Sequence, residues 1–193
     1  MKTSCFVFFA GLLLILSLPV QAHTGMGAAH GLIDGLLHPL IGVDHLLVML
    51  AIGLWASMRG GRAFWLFPVI FLMAMGMGAA LHFAGITVIA AESWVAFSVL
   101  AAGVLVWRNT PMSSVLAVAL VAVFALGHGY VHAAELTNGA DVLAYSAGFL
   151  LTTALLHGLG IAVGLLGKAR LKMIGTGFGL LCAVVGASLL VGI

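Results

Sequence analysis

Charged residues are scarce in this sequence. Asp, Glu, Lys and Arg make up 6% of the 193 residues and hydrophobic residues 64%, against roughly 25% and 45–50% in an average soluble domain. A chain with so few charges cannot cover a soluble fold of this size with polar surface, so lipid is its expected solvent. The few basic residues do not indicate a nucleic-acid partner.

Cysteine is also scarce, and one of the two cysteines lies in a segment that is expected to be removed. Lys2, the apolar run from Cys5 to Leu18 and the small-x-small ending at Ala22 predict a secretory signal peptide that is cleaved after Ala22. The alternative is an uncleaved first helix, although the run is short for a membrane span. Cleavage would make His23 the mature N-terminus and leave Cys182 alone, which excludes an intrachain disulfide.

Long apolar stretches recur along the rest of the chain. Their lengths suit helices of about 20 residues, the number needed to cross a bilayer, and none shows the alternating pattern of an outer-membrane barrel strand. We predict an all-α polytopic membrane protein in which residues 23–193 form one domain of six transmembrane helices after the signal peptide at 1–22. The predicted spans are Pro39 to Met58, Phe64 to Ala84, Val88 to Trp107, Val115 to Ala134, Leu143 to Gly167 and Met173 to Ile193.

The basic residues outside the signal peptide fall in three of the connections between these spans. They are Arg59, Arg62, Arg108, Lys168, Arg170 and Lys172. If the signal peptide delivers the mature N-terminus outside, alternating spans place all three connections in the cytoplasm, as the positive-inside rule requires. We therefore expect a multi-pass protein of the bacterial inner membrane with both mature termini in the periplasm.

Ionisable residues inside spans need a functional reason, because Asp, Lys or Arg at a helix centre costs about 2.5 to 3.5 kcal/mol. The first cluster comprises His38, Asp44 and His45. Pro39 favours a helix that begins there, with His38 at its mouth. His45 would then lie about 9 Å below the outer end of the span. Met49, one turn further along, either lines the same face or packs in the core.

The second cluster closes the fourth predicted span with His128, His132 and Glu135. The i, i+4, i+7 spacing sets these side chains on one helical face, and His128 also falls about 9 Å below the outer end. Two clusters at one depth predict a shared intramembrane metal site; the alternative for each histidine is a hydrogen bond to a neighbouring helix. Imidazole and carboxylate suit nickel, cobalt, zinc or iron(II), whereas copper(I) calls for more thiolate or thioether.

Five further residues are weaker candidates for a metal path. His157 lies past the midplane of the fifth span, where it could act as an inner relay. His82, near the outer end of the second span, serves either packing or gating. His30 and Asp34 share a face ahead of the first span and form either an outer antechamber or a solvated surface. His23, if it is the mature N-terminus, could chelate through its α-amine and its imidazole together.

At these residues the sequence resembles the HupE/UreJ family of nickel and cobalt permeases. The stretch from His38 through Ala56 matches the family pattern HPxxGxDHxxxMxxxGxxA, and the stretch from Phe124 to Glu135 is similar to its His-Gly-x-x-His-x-x-Glu segment. The stretch from Gly148 to Gly160 is similar too. The resemblance implies uptake of nickel or cobalt for metalloenzymes such as hydrogenase or urease, or for cobalamin synthesis.

We therefore expect a permease and not an enzyme, with Ni²⁺ or Co²⁺ as cargo and no prosthetic group. The sequence holds no Walker-type phosphate-binding motif, so the membrane potential or a proton gradient would supply the energy. The expected partners are the metal ion and the lipid bilayer, with a homo-oligomer left open. The alternatives are an intramembrane zinc hydrolase, because three ligands with an open position also describe a catalytic site, and a bis-histidine haem protein.

Overall fold

The computed structural model describes residues 31–137, 139–166 and 168–192. Within these ranges the chain forms seven α-helices: α1 (Leu32–Ile41), α2 (Val43–Arg59), α3 (Ala63–Phe83), α4 (Ala91–Arg108), α5 (Ser114–Ala134), α6 (Val142–Gly164) and α7 (Lys168–Val191). The predicted all-α class is confirmed. Helices α3 to α7 are long and apolar enough to cross a membrane, and α1 with α2 would make a sixth crossing. The predicted signal peptide, His23 and His30 lie outside the described residues.

A sharp bend at Gly42 separates α1 from α2. The chain turns through 78° there, and the Gly42 N–H closes α1 by donating to the His38 carbonyl. The prediction that one straight helix begins at Pro39 was wrong, because Pro39 lies inside α1 and the next helix begins at Val43. Proline removes one main-chain donor near the end of α1. Depths counted along a single straight helix therefore do not apply to His38.

Helix α2 runs through the centre of the bundle. Its residues from Leu47 to Ala56 are almost all buried, and it contacts α3, α4, α6 and α7. Helix α3 packs closely against α5, and α4 packs closely against α7. Helix α6 packs against both α1 and α2. Glycine permits this approach. A side chain at Gly129 would collide with the Met75 carbonyl of α3, and one at Gly53 would collide with the His157 carbonyl of α6.

Basic residues collect at one end of the bundle. Arg59 ends α2 and Arg108 ends α4. Arg59 also donates a 2.7 Å hydrogen bond to the Met112 carbonyl in the connection between α4 and α5, which ties two basic connections together. Helix α5 starts beside Met112 and runs away from it, so His132 near the end of α5 lies at the opposite end of the bundle. The structure therefore separates basic residues from the histidine-rich region.

Candidate metal site

Three histidines from separate helices converge at the end of the bundle that lies opposite the basic residues. His38 lies in α1, His45 in the first turn of α2 and His132 in the last turn of α5. The bend at Gly42 turns α1 back over the start of α2 and leaves the His38 and His45 ring centroids 5.5 Å apart. The His132 ring is 4.7 Å from His38 and 4.0 Å from His45. Histidines of the two sequence clusters thus meet.

These residues, called the histidine triad below, each offer one ring nitrogen to the same small volume. The three atoms lie within 4.8 Å of one another. Three donors bound at about 2.1 Å and spread evenly around one ion lie about 3.6 Å apart, so side-chain movements of under about 1 Å would close the triad around a metal. His45 is fully buried and His132 is 4% exposed, whereas His38 is partly exposed. The triad is therefore most open on the side of His38.

Two carboxylates contact the histidine triad. One Glu135 oxygen lies 3.4 Å from His38 Nε2 and 3.3 Å from His132 Nδ1. One Asp44 oxygen lies 3.6 Å from His45 Nε2 and accepts a 2.9 Å hydrogen bond from the His45 main-chain N–H. A carboxylate beside a ligating imidazole orients the ring and raises its basicity. The Nε2 atom of His132 is buried without a hydrogen-bond partner, so it is available to a ligand.

Helix α6 supplies a wall of the site. The Phe149 ring centroid lies 4.2 Å from that of His132 and 5.8 Å from that of His38. Thr152, about one turn further along, donates a 2.9 Å hydrogen bond to the Leu36 carbonyl and so ties α6 to α1. A small, mostly apolar cleft of about 70 Å³ between α3, α5 and α6 reaches His132 beside Phe149. The triad is thus held by packed helices rather than by loops.

His128 lies one turn before His132 and is not a member of the triad. Its Nδ1 atom is 2.9 Å from the Nδ1 atom of His45, and its Nε2 atom is 2.8 Å from the hydroxyl oxygen of Ser98 in α4. All three side chains are fully buried. Because protein groups engage both ring nitrogens of His128, this residue could bind a metal only if one of these contacts broke.

His157 marks a second polar position, deeper in the bundle. Its ring centroid is 4.9 Å from that of Phe71, which is in turn 6.0 Å from that of His128. Both ring nitrogens of His157 are buried without a hydrogen-bond partner, and so is the hydroxyl of Thr153, one turn earlier on α6. Buried polar groups without partners are uncommon and call for a reason. These two residues are therefore candidates to bind a ligand.

The other described candidates from the sequence are not brought to the triad. His82 packs against Tyr130, with ring centroids 5.4 Å apart. Met49 is fully buried in the hydrophobic core. Asp34 lies in the first turn of α1, one helical turn before His38 and on the same face.

Two residues of the site carry no sequence signal. Ser98 is one of two serines in α4, and its hydroxyl donates a 2.7 Å hydrogen bond to the Val95 carbonyl, an arrangement that helical serines commonly adopt. Phe149 is one of 11 phenylalanines in the sequence. Neither residue type nor spacing distinguishes Ser98 and Phe149 from the other apolar-helix residues. Only their positions beside the histidines in the structure identify them.

Apolar helices of spanning length and a mostly buried histidine triad define a polytopic α-helical membrane protein with a candidate metal site. The family model described as HupE / UreJ protein matches residues 11–189, and the chain belongs to this family. Protein HupE of Rhizobium leguminosarum bv. viciae is 40% identical over 180 residues, which cover 92% of this chain and 94% of that relative. No solved structure matches the chain. The resemblance inferred from the sequence motifs is confirmed.

Proposed function

We propose that this protein is an inner-membrane permease that carries a divalent nickel or cobalt ion into the cell. The observation that carries the proposal is the histidine triad, in which imidazoles from α1, α2 and α5 lie close enough to share one ion. The triad sits in a bundle in which α3 to α7 are each long and apolar enough to cross a bilayer. Membership of the HupE/UreJ family supports the same function.

The chemistry of the donors suits these metals. Imidazole favours nickel, cobalt and zinc, whereas a site of oxygen donors alone would favour magnesium or calcium. Asp44 and Glu135 lie next to the triad, so they offset the charge of a divalent ion and can replace water that it loses. This compensation matters because an ion buried without counter-charge is strongly disfavoured.

The proposed inward route leads from the triad past Phe71 to His157. The Phe71 ring contacts the rings of both His128 and His157, so it would link the outer site to the inner position. At the inner position His157 and Thr153 would offer the ion transient donors. One imidazole holds an ion more weakly than three, and conduction requires a site that the ion can leave. The weaker inner position would therefore favour release toward the basic end of the bundle.

The distribution of charge gives the proposed direction. The positive-inside rule assigns the basic end of the bundle to the cytoplasm, which puts the triad at the periplasmic side and both mature termini in the periplasm. An interior-negative potential then favours entry of a divalent ion by about 4.6 kcal/mol per 100 mV, twice the value for a single charge. A proton gradient is the alternative source of energy.

Uptake of radiolabelled nickel and cobalt into proteoliposomes tests this function. Wild-type protein should accumulate metal under an interior-negative potential, and Asp44→Ala and His132→Ala should lose most of that uptake. His82→Ala is the matched control, because it removes a histidine that packs against Tyr130 outside the triad. Wild-type vesicles that take up neither metal faster than protein-free vesicles would overturn the proposal.

The second candidate is an intramembrane zinc hydrolase. Three imidazoles with a fourth, open position are also the pattern of catalytic zinc, and the triad fits it. Such an enzyme would keep one zinc ion per chain through purification and move no metal across vesicles. We favour the permease, which would catalyse no reaction, because the unpartnered polar groups of His157 and Thr153 extend the polar route beyond the triad.

A further inference from the structure

A chain of three buried polar side chains ends on the histidine triad. Ser98 in α4 contacts His128 in α5, and the other ring nitrogen of His128 contacts His45 in α2, at 2.8 Å and 2.9 Å. All three residues are 0% exposed. Water therefore does not compete for these contacts, and each must be made by one donor and one acceptor supplied by the protein.

The Ser98 hydroxyl determines which atom donates and which accepts in both of these hydrogen bonds. It donates its hydrogen to the Val95 carbonyl at 2.7 Å, so its oxygen accepts from the Nε2–H of His128. A neutral imidazole has one N–H and one lone pair, so the Nδ1 atom of His128 is an acceptor. The contact between the two Nδ1 atoms then requires His45 to donate its Nδ1–H. His45 then carries its lone pair on Nε2, the atom that lies 3.6 Å from the Asp44 oxygen, so an ion bound there would contact both an imidazole nitrogen and a carboxylate oxygen.

The opposite direction would disable the triad. If the Ser98 hydroxyl turned toward His128, the Nδ1–H of His128 would donate to His45 and the hydrogen of His45 would move to Nε2. A nitrogen that carries a hydrogen cannot coordinate a metal. The Val95 carbonyl holds the hydroxyl in the orientation that avoids this outcome.

We infer that Ser98 is a positioning residue which, through His128, holds His45 in the Nδ1–H tautomer and so keeps the Nε2 lone pair of His45 ready for the transported ion. The inference rests on the proposed function, since it assigns His45 Nε2 as the donor to the cargo. It also gives His128 a role other than ligation. Because His128 donates to Ser98, it accepts a hydrogen bond from His45.

We call this influence of Ser98 on the His45 tautomer, exerted through His128, the relay. Four variants test it in the full-length protein. Ser98→Ala removes the hydroxyl and should weaken nickel or cobalt binding about 10- to 100-fold, the usual effect of losing a group behind a metal ligand. Ser93→Ala is the matched control, because it makes the same change at an exposed position of the same helix. His128→Asn keeps an amide oxygen that can accept from His45, so it should bind metal better than His128→Ala. If His128 were itself a ligand, both His128 variants would lose binding alike.

The tautomer of His45 gives a readout that needs no metal. In protein labelled with ¹⁵N-histidine, the two ring nitrogens have distinct shifts, and the His45 signals are those that vanish in His45→Gln. We expect the hydrogen on Nδ1 in wild type and in Ser93→Ala, and a mixture of the two tautomers in Ser98→Ala. Gel filtration and thermal melting check that each variant is folded. Should Ser98→Ala fail to fold, the wild-type spectrum still shows which nitrogen of His45 carries the hydrogen, and the two His128 variants still show whether His128 acts as a ligand.

The outcomes separate this inference from the proposed function. A wild-type His45 with its hydrogen on Nε2, or a Ser98→Ala protein that matches Ser93→Ala in tautomer and affinity, overturns the relay and leaves the triad in place. Wild-type protein that binds neither metal overturns the proposed function and with it the role of the relay in presenting a donor to cargo.

Discussion

Replacing Glu135 by glutamine should weaken metal binding while leaving the fold intact. One Glu135 oxygen lies 3.3 Å from the Nδ1 atom of His132 and 3.4 Å from the Nε2 atom of His38. A carboxylate in this position accepts the His132 Nδ1–H and leaves the buried Nε2 atom of His132 for the ion. Glutamine keeps an oxygen that can accept the same hydrogen, but it removes the negative charge.

The size of the effect follows from these contacts. Losing a group that orients a metal ligand costs about 10- to 100-fold in affinity, or about 1.4 to 2.8 kcal/mol. Glu135 touches two members of the triad, but its side chain is 26% exposed, so solvent and salt screen part of its charge. We therefore expect Glu135→Gln to fall in the lower half of that range, at about 10- to 30-fold. Glu135→Ala should bind more weakly, because it also loses the hydrogen-bond acceptor.

Equilibrium dialysis of purified protein against Co²⁺ measures both variants, and the visible absorption of bound Co²⁺ reports any change in its ligands. His132→Ala serves as the reference for complete loss of one triad member. Wild-type affinity in both Glu135 variants would show that this carboxylate has no part in binding. A loss in Glu135→Gln as large as that in His132→Ala would show that Glu135 is itself a ligand.

Three further predictions concern pH, the inner position and packing. Metal binding and uptake should fall as external pH drops from 8 to 5, because an ordinary histidine takes up a proton near pH 6.5 and only neutral imidazole binds metal; uptake that stays flat would contradict histidine ligation. His157→Ala should slow proteoliposome uptake but leave equilibrium affinity near wild type, because the triad is unchanged, and unaltered uptake would remove His157 from the route. Gly129→Ala should lower the melting temperature in detergent, because its methyl group would meet the Met75 carbonyl; an unchanged melting temperature would show that α3 and α5 can separate freely.

The positions of the helices were largely predictable, because a bilayer demands apolar runs of fixed length. The fourth predicted span, Val115 to Ala134, differs from α5 (Ser114–Ala134) by one residue at its start. The third was placed less well: it was predicted to begin at Val88, whereas α4 begins at Ala91. The Val88 N–H donates to the Tyr130 hydroxyl at 3.2 Å, and Ala90 adopts a left-handed φ of 57°. Such tertiary contacts leave no trace in local hydropathy.

Helical spacing predicted which side chains share a face but not which ones meet across helices. His132 and Glu135 do lie together, as their i, i+3 spacing indicates. Whether His128 or His132 would join His38 depended on the bend at Gly42 and on the position of α5 relative to α1, and neither is encoded in a periodic pattern. His128 contacts Ser98 and His45 instead. Ligation by His128 stays a prediction that the Asn and Ala variants address.

The bend at Gly42 also bears on how an ion sheds its hydration shell. A continuous apolar helix satisfies its own main-chain groups and keeps water out along its whole length, whereas an interrupted helix is tolerated at membrane depth only inside protein or beside a water-filled space. Gly42 is partly exposed, and a side chain there would lie 2.7 Å from the His45 ring. On the proposed function and orientation, the interruption would let water accompany the ion to the imidazoles, so that each water could be exchanged for a donor in turn before the ion met lipid.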